Sequence, residues 1–240
     1  MAAIDRTTTT WLTLDLWHPN CWAIEATGET PGGVLAHAIY TSPKTDGNHS
    51  GNVKGLFTAF ADDERAIDDL LGAIRDSEHA GELSELRERF GRERNAPGNV
   101  VREFFLEYDP DDMVCPTLLE HGFVHNAPVR IENGREEWQV CFVDDRAQID
   151  DALDRVREQA GAEVTVDAIT TSEAAATTAR DQRLDTLTAK QRDVFEHARD
   201  AGYYEWPRKC DTRELAADLG VSKTTLLEHL RKAEAKLLDP

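Results

Sequence analysis

At 240 residues, 40 % of them apolar, the chain is long enough for one large or two ordinary folded domains. Its 46 acidic against 27 basic residues give a formal net charge of −19, which excludes a protein that coats nucleic acid by bulk electrostatics but leaves room for a local DNA reader. No run approaches the roughly 18–20 apolar residues of a membrane span, and Met1 to Arg6 opens no basic-then-apolar signal pattern, so a cytoplasmic protein with no membrane partner is expected.

The first expected strand runs from Trp11 to Trp17 and is closed by Pro19; a short helical stretch follows. Residues 41–52 form a polar loop rich in Gly, Asn, Ser and Pro. A strand ending at Phe60 then leads through Asp62 and Asp63, suited to helix capping, into an amphipathic helix whose stripe is Ile67, Leu70, Leu71 and Ile74. Gly81 to Gly91 reads as charged helix, which leaves no clear final strand for this half.

The same order then returns. Val101 to Tyr108 is a strand closed by Pro110, and a short helical stretch follows. Residues 128–131 and 136–143 read as strands flanking Asn133-Gly134, a pair suited to a type I′ hairpin turn. Phe142 to Glu158 matches Phe60 to Asp76 at eight of 17 positions, with Asp144 and Asp145 again placed as caps and Ile149, Ala152, Leu153 and Val156 as the stripe. Residues 162–169 alternate with period two and close the second copy. The expected fold class is therefore α+β, with tandem ferredoxin-like or ACT-like βαββαβ units at residues 1–92 and 93–170. A small, polar linker over 171–184 leads to an all-α helix-turn-helix domain at 185–240. Charge divides across that linker, with a net of −18 before residue 185 and −1 after it.

In the last segment Thr188 and Gln191 form a capping box, Val194, Phe195 and Ala198 supply a stripe, and Gly202 ends the helix. Asp211 to Glu214 starts a second helix through Leu219, and Gly220-Val221-Ser222 breaks the chain before a third over 223–237. This spacing is that of a helix-turn-helix: Ala216 is small where two helices cross, Gly220 permits the left-handed turn, Val221 and Leu226 plug the core, and Ser222 caps the last helix.

Twenty Arg against seven Lys, with 24 Asp and 22 Glu, resemble the surface of a halophile's protein, an acidic mesophilic protein being the plainer alternative. Residues 187–238 resemble the helix-turn-helix of the bacterio-opsin activator family of haloarchaeal transcription regulators, itself similar to region 4 of sigma factors. The shared pattern is Leu187-Thr188, Gln191-Arg192, Gly202-Tyr203-Tyr204, Pro207-Arg208, Glu214-Leu215-Ala216, Leu219 to Ser222, Thr225 and Glu228 to Arg231 with Ala233-Glu234; Leu227 departs from the small polar residue usual at its position. The resemblance implies a short regulator without PAS or GAF sensors that binds double-stranded promoter DNA.

Within that helix-turn-helix, Lys223, Thr224 and Thr225 lead toward base edges, and Glu228 is placed to accept from a cytosine amino group. Arg231 is better placed for phosphate, Ser222 presents a hydroxyl at a helix start, and Arg208 with Lys209 forms a basic loop suited to clamping the DNA backbone. Tyr203 and Tyr204 read as packing residues. One helix-turn-helix offers little contact, so a homodimer is expected, with an unidentified small-molecule effector possible at the N-terminal units. An adaptor that binds transcription machinery through the same helices is the competing reading.

Other constellations weigh less. His18 with Cys21, and His121 with His125 near Cys115, have metal-like spacing, but no second Cys pair supports them, and no metal or cofactor is expected. Cys21, Cys115, Cys141 and Cys210 are expected as reduced thiols, Cys141 buried in a strand. The paired aspartates fall on solvated first turns, and no phosphate loop or nucleophile elbow occurs, so no catalytic residue and no enzyme are expected.

Overall fold

Alternation sets the first strand: Thr10, Leu12, Leu14 and Leu16 of β1 (Thr10–Trp17) point into the core, and the residues between them are half-buried. The computed structural model describes residues 10–41, 53–87, 97–170, 184 and 186–238. It divides into two compact units, one of Met1–Arg94 with Asn99–Ala176 and one of Asn95–Gly98 with Thr177–Pro240.

In the first unit β1 is followed by α1 (Trp22–Glu29), β2 (Gly33–Thr41), β3 (Val53–Ala61), α2 (Glu64–Asp76) and β4 (Leu83–Glu85). The second half repeats the order with β5 (Val100–Tyr108), α3 (Cys115–Glu120), β6 (Phe123–His125), β7 (Val129–Glu132), β8 (Arg135–Phe142), α4 (Ile149–Ala160) and β9 (Glu163–Thr170). Asp63 caps α2 by accepting from the Ala66 amide at 2.9 Å, and Ile67, Leu70, Leu71 and Ile74 are buried beneath it. Asn133 and Gly134 both hold positive φ (56° and 73°), the geometry of the tight hairpin between β7 and β8.

All nine strands join one antiparallel sheet in the order β4-β5-β3-β2-β7-β8-β1-β9, with β6 also on β8. The first strand of each half is hydrogen-bonded into the other half. β1 lies between β8 and β9, with Leu14 opposite Trp138 on one side and Val166 on the other, while β5 lies between β3 and β4. α1 packs on α2 and α3 on α4, and α1 also reaches β7 and β8 of the second half. The sheet is continuous because β2 and β7 pair from Gly33 opposite Glu132 to Ala36 opposite Val129. Gly33 is required at that seam, since a Cβ there would lie 2.4 Å from the Phe60 ring and 2.7 Å from the Ile131 carbonyl.

Four expectations are corrected. The halves are not two self-contained units side by side: β2 pairs with β7 to make one sheet, and the first strand of each half lies in the other. Leu83–Glu85 is a strand rather than part of a charged helix: it pairs with β5 at Leu106 to Phe104, where backbone pairing outweighs the helical propensity of its neighbours. Asp145 accepts from the Ala147 amide and caps a 3-10 turn over Arg146–Gln148; α4 itself starts after Gln148, with no side-chain cap. Cys141 is only half-buried, on the face of β8 opposite the buried Trp138, Val140 and Phe142. The polar loop over 42–52 and the linker residues 171–183 lie outside the described residues.

The second unit contains α5 (Ala189–Asp200), α6 (Thr212–Asp218) and α7 (Lys223–Leu238), joined over Val194, Ala198, Leu215, Ala216, Leu226 and Leu230.

Exchange of first strands makes the two halves of the sheet one cooperative body. Leu14 on β1 and Leu106 on β5 are both fully buried, so Leu14→Ala and Leu106→Ala should each cost about 3 kcal/mol. Four of the five tryptophans lie in this unit, so urea unfolding followed by tryptophan fluorescence reads it directly. A single shifted transition is expected in both variants; two separated transitions would show that the halves fold independently.

Candidate nucleic-acid interface

Two reciprocal caps set the helix starts of the second unit. Thr188 Oγ1 accepts from the Gln191 amide at 3.3 Å while the Thr188 amide donates to Gln191 Oε1 at 3.4 Å. Asp211 accepts from the Arg213 and Glu214 amides at 2.6 and 3.0 Å, and its own amide donates to Glu214 at 2.8 Å. Those amides, Glu214 first and then Arg213, hold the Asp211 carboxyl below its ordinary range. Gly220 turns the chain at φ 63°, and the Val221 amide closes onto the Ala216 carbonyl at 3.0 Å. Ala216 is buried where a larger side chain would push the helices apart.

The first turn of α7 leaves Ser222, Lys223 and Thr224 exposed. Ser222 Oγ accepts from the Thr225 amide at 3.1 Å and lies 2.8 Å from Thr225 Oγ1, so these two hydroxyls hold the helix start together, and Thr225 is half-buried. One turn on, Glu228 is ion-paired with Lys232 at 2.9 Å, while Arg231 is exposed on the same helix. In the loop before α6 the Arg208 guanidinium stacks over the Tyr203 ring, 4.5 Å from its centroid, and Lys209 pairs with Glu205 at 2.7 Å. Tyr204 donates to the Glu234 carboxylate at 2.8 Å; desolvation, followed by that bond, pushes its hydroxyl pKa up. The loop is thereby fastened to α7. Trp206, which the sequence reading passed over, is 97 % exposed between Glu205 and Pro207. The one signal for it was an aromatic residue beside a proline in a basic loop.

The remaining sequence candidates separate. His121 bonds Gln159 at 2.8 Å, whereas His125 lies 3.9 Å from Cys115 Sγ and packs edge-on against Trp138, so the two histidines do not converge. His18 and Cys21 do come together, with Glu136 as a third group that nothing in the sequence paired with them.

Three helices with an exposed, polar first turn on the last of them define the class: a helix-turn-helix DNA-binding module attached to an α+β sheet unit. Comparison with known proteins agrees. Residues 187–239 match the family described as "HTH DNA binding domain", and residues 11–162, more than half the chain, match the N-terminal family HVO_2525_N. The chain belongs to the bacterio-opsin activator-type helix-turn-helix regulators that carry this N-terminal region. Over 55 residues it is 49 % identical to the transcriptional regulator NarO of Haloferax volcanii, covering 23 % of this chain and 26 % of that protein. It is 34 % identical to the dimethyl sulfoxide reductase transcriptional activator of the same organism over 131 residues, 53 % of this chain and 60 % of that one. The bacterioopsin transcriptional activator of Halobacterium salinarum matches at 32 % over 59 residues, 25 % of this chain and 9 % of its own length. The chain thus spans less than two thirds of each of these relatives.

The Asp211 cap carries a pH signature. Because its carboxyl is held below the unfolded value, its stabilisation is present above the unfolded pKa, near 3.9, and is lost as pH falls through the lower folded value. Wild type should therefore melt above Asp211→Ala at neutral pH, and the two melting curves should converge in acid; a gap that persists at the lowest pH would remove the charged cap from the account.

Proposed function

We propose that this chain is a sequence-specific transcription regulator of a halophilic archaeon that reads promoter DNA through the first turn of α7. The observation that carries this is the exposure of Lys223 and Thr224 at the start of the last helix, in a chain whose family is defined by that module. Lys223, Thr224 and Thr225 face base edges, with Glu228 one turn behind them. Ser222, Arg231, Arg208 and Lys209 contact phosphates, Arg208 held out on the Tyr203 ring and Lys209 exchanging Glu205 for the DNA backbone. The near-neutral charge of residues 185–240 supports this reading, since the acidic excess belongs to the rest of the chain.

The sheet unit, on this reading, consists of two ferredoxin-like halves, residues 1–92 and 93–170, that have exchanged first strands; each half then shows the order fourth, first, third, second, with the first strand borrowed. Residues 171–184 link it to the DNA-binding domain. It serves sensing or homodimerisation, the protein works in the cytoplasm, and it catalyses no reaction. Among the described residues no helix is long and apolar enough to cross a membrane.

Chromatin capture with sequencing of bound DNA from native cells tests the reading without a known target. Wild type should give discrete peaks that share a motif, and the peaks should vanish with Lys223→Glu/Thr224→Ala. Peaks that persist in the double variant, or broad promoter signal with no motif, would favour an adaptor tethered through transcription machinery. On the recovered operator, Thr224→Ala should cost about 1 kcal/mol, roughly fivefold, and relax preference at one base position. Arg231→Ala should weaken binding by a similar factor on all sequences and flatten the salt dependence. Fluorescence anisotropy over a salt series separates the two.

A further inference from the structure

The inward face of β8 carries one charged residue among its large apolar ones. Glu136, 5 % exposed, precedes Trp138, Val140 and Phe142 in the same alternating series. A buried carboxylate is costly unless it is compensated. One oxygen is satisfied, Oε2 accepting from Trp138 Nε1 at 2.7 Å. The other, Oε1, faces Cys21 Sγ and His18 Nε2, each 3.6 Å away, and the donor atoms of the three buried residues all lie within 4.8 Å of one another. The turn after β1 makes this possible: Asn20 takes positive φ (62°) and folds the chain back, so that His18 and Cys21 meet across Pro19.

In the empty site the Cys21 thiol donates to Glu136 Oε1 at 3.6 Å, a normal sulfur hydrogen-bond length, and the same separations fit an ion between the three groups. At 3.6 Å, nitrogen and oxygen are beyond hydrogen-bond range. Two donors held about 2.3 Å (sulfur) and about 2.1 Å (oxygen) from one tetrahedral metal lie about 3.6 Å apart. His18 is oriented for such a role. Its Nδ1 lies 3.1 Å from the Pro19 carbonyl, which can only accept, an arrangement that leaves Nε2, facing Glu136 and Cys21, as the ring nitrogen that would bind an ion. Trp138 does for the carboxylate what the Pro19 carbonyl does for the imidazole.

The trio also lines a cavity of about 520 Å³ whose wall includes Trp22, Phe57, Tyr108 and Met113. Three protein donors beside such a space make an open site rather than a closed structural one. We propose that His18 Nε2, Cys21 Sγ and Glu136 Oε1 bind one divalent transition-metal ion of borderline softness, zinc or ferrous iron in type, with a fourth position open to the cavity. Thiolate with imidazole selects that class over magnesium and calcium, which prefer oxygen donors alone. Burial first, and then the charge of Glu136, keeps Cys21 protonated in the empty site, so binding transfers one proton from the thiol to solvent as the metal–sulfur bond forms. The inference concerns the sheet unit and does not depend on the DNA-binding reading.

Cobalt(II) titration of the full-length, reduced, chelator-treated protein tests it. The expected result is a thiolate-to-cobalt charge-transfer absorption that saturates at one equivalent, is displaced by zinc and is unaffected by magnesium. Cys21→Ser should abolish the band; Cys141→Ser, on the opposite face of β8, should leave it intact. No band at saturating cobalt would overturn the proposal, as would a band that survives in Cys21→Ser or disappears only in Cys115→Ser. If Cys21→Ser fails to fold by circular dichroism, Trp138→Phe keeps all three donors and removes the hydrogen bond that orients the carboxylate, together with part of a buried ring. It should lower affinity about 10- to 100-fold, and unchanged affinity would count against the site.

Discussion

The pairing of β1 between β8 and β9 is the constraint on which the sheet unit depends. Through it Leu12, Leu14 and Leu16 enter the same apolar cluster as Phe142, Val164 and the α4 stripe, although their chain neighbour α1 packs on α2. The reciprocal placement of β5 between β3 and β4 brings Phe104 and Leu106 under α2. Each half therefore lends a strand and receives one, and neither can bury its own core alone. The turn that carries the chain out of β1 is also the turn that joins His18 to Cys21, so the arrangement that locks the halves together also places a polar cluster at the edge of the central cavity.

Much of this was legible in the residues. Asp63 before α2, Asn133-Gly134 between β7 and β8, and the Thr188 and Asp211 capping boxes are local signals whose physics is complete within four residues, and each appears as read. The repeated stripes of α2 and α4 likewise follow from 3.6-residue spacing. What escaped was information about partners. Period-two alternation says that Leu14 faces a core but not that it lies opposite Trp138, so the exchange of first strands left no trace in either copy. Leu83–Glu85 looked helical because its neighbours are good helix formers, and only the edge of β5 makes it a strand. Glu136 was unremarkable in a chain with 22 glutamates until the fold turned it inward beside Cys21.

For the residues proposed to face DNA, the sequence named the positions and the structure sorts them by engagement. Ser222 and Thr225 are bonded to one another at the helix start, Glu228 is tied to Lys232, and Lys209 to Glu205, whereas Lys223 and Thr224 stand exposed ahead of them. The partners that Glu228 and Lys209 hold in the free protein are weak exposed pairs, worth well under about 1 kcal/mol each, so a phosphate or base edge can displace them at little cost.

Strand exchange also orders events in time. As the chain leaves the ribosome, β1 emerges before the strands it pairs with, Glu136 to Phe142 of β8 on one side and Glu163 to Thr170 of β9 on the other, so its edges stay open until nearly the whole unit has been made. No early intermediate can hold a finished sheet. The nascent segment is a row of leucines alternating with polar residues, and its unpaired edges are a template for pairing with another chain. A cell that makes this protein must keep its first strand unpaired through the synthesis of some 150 further residues, a burden that a chain of two self-contained halves would not carry.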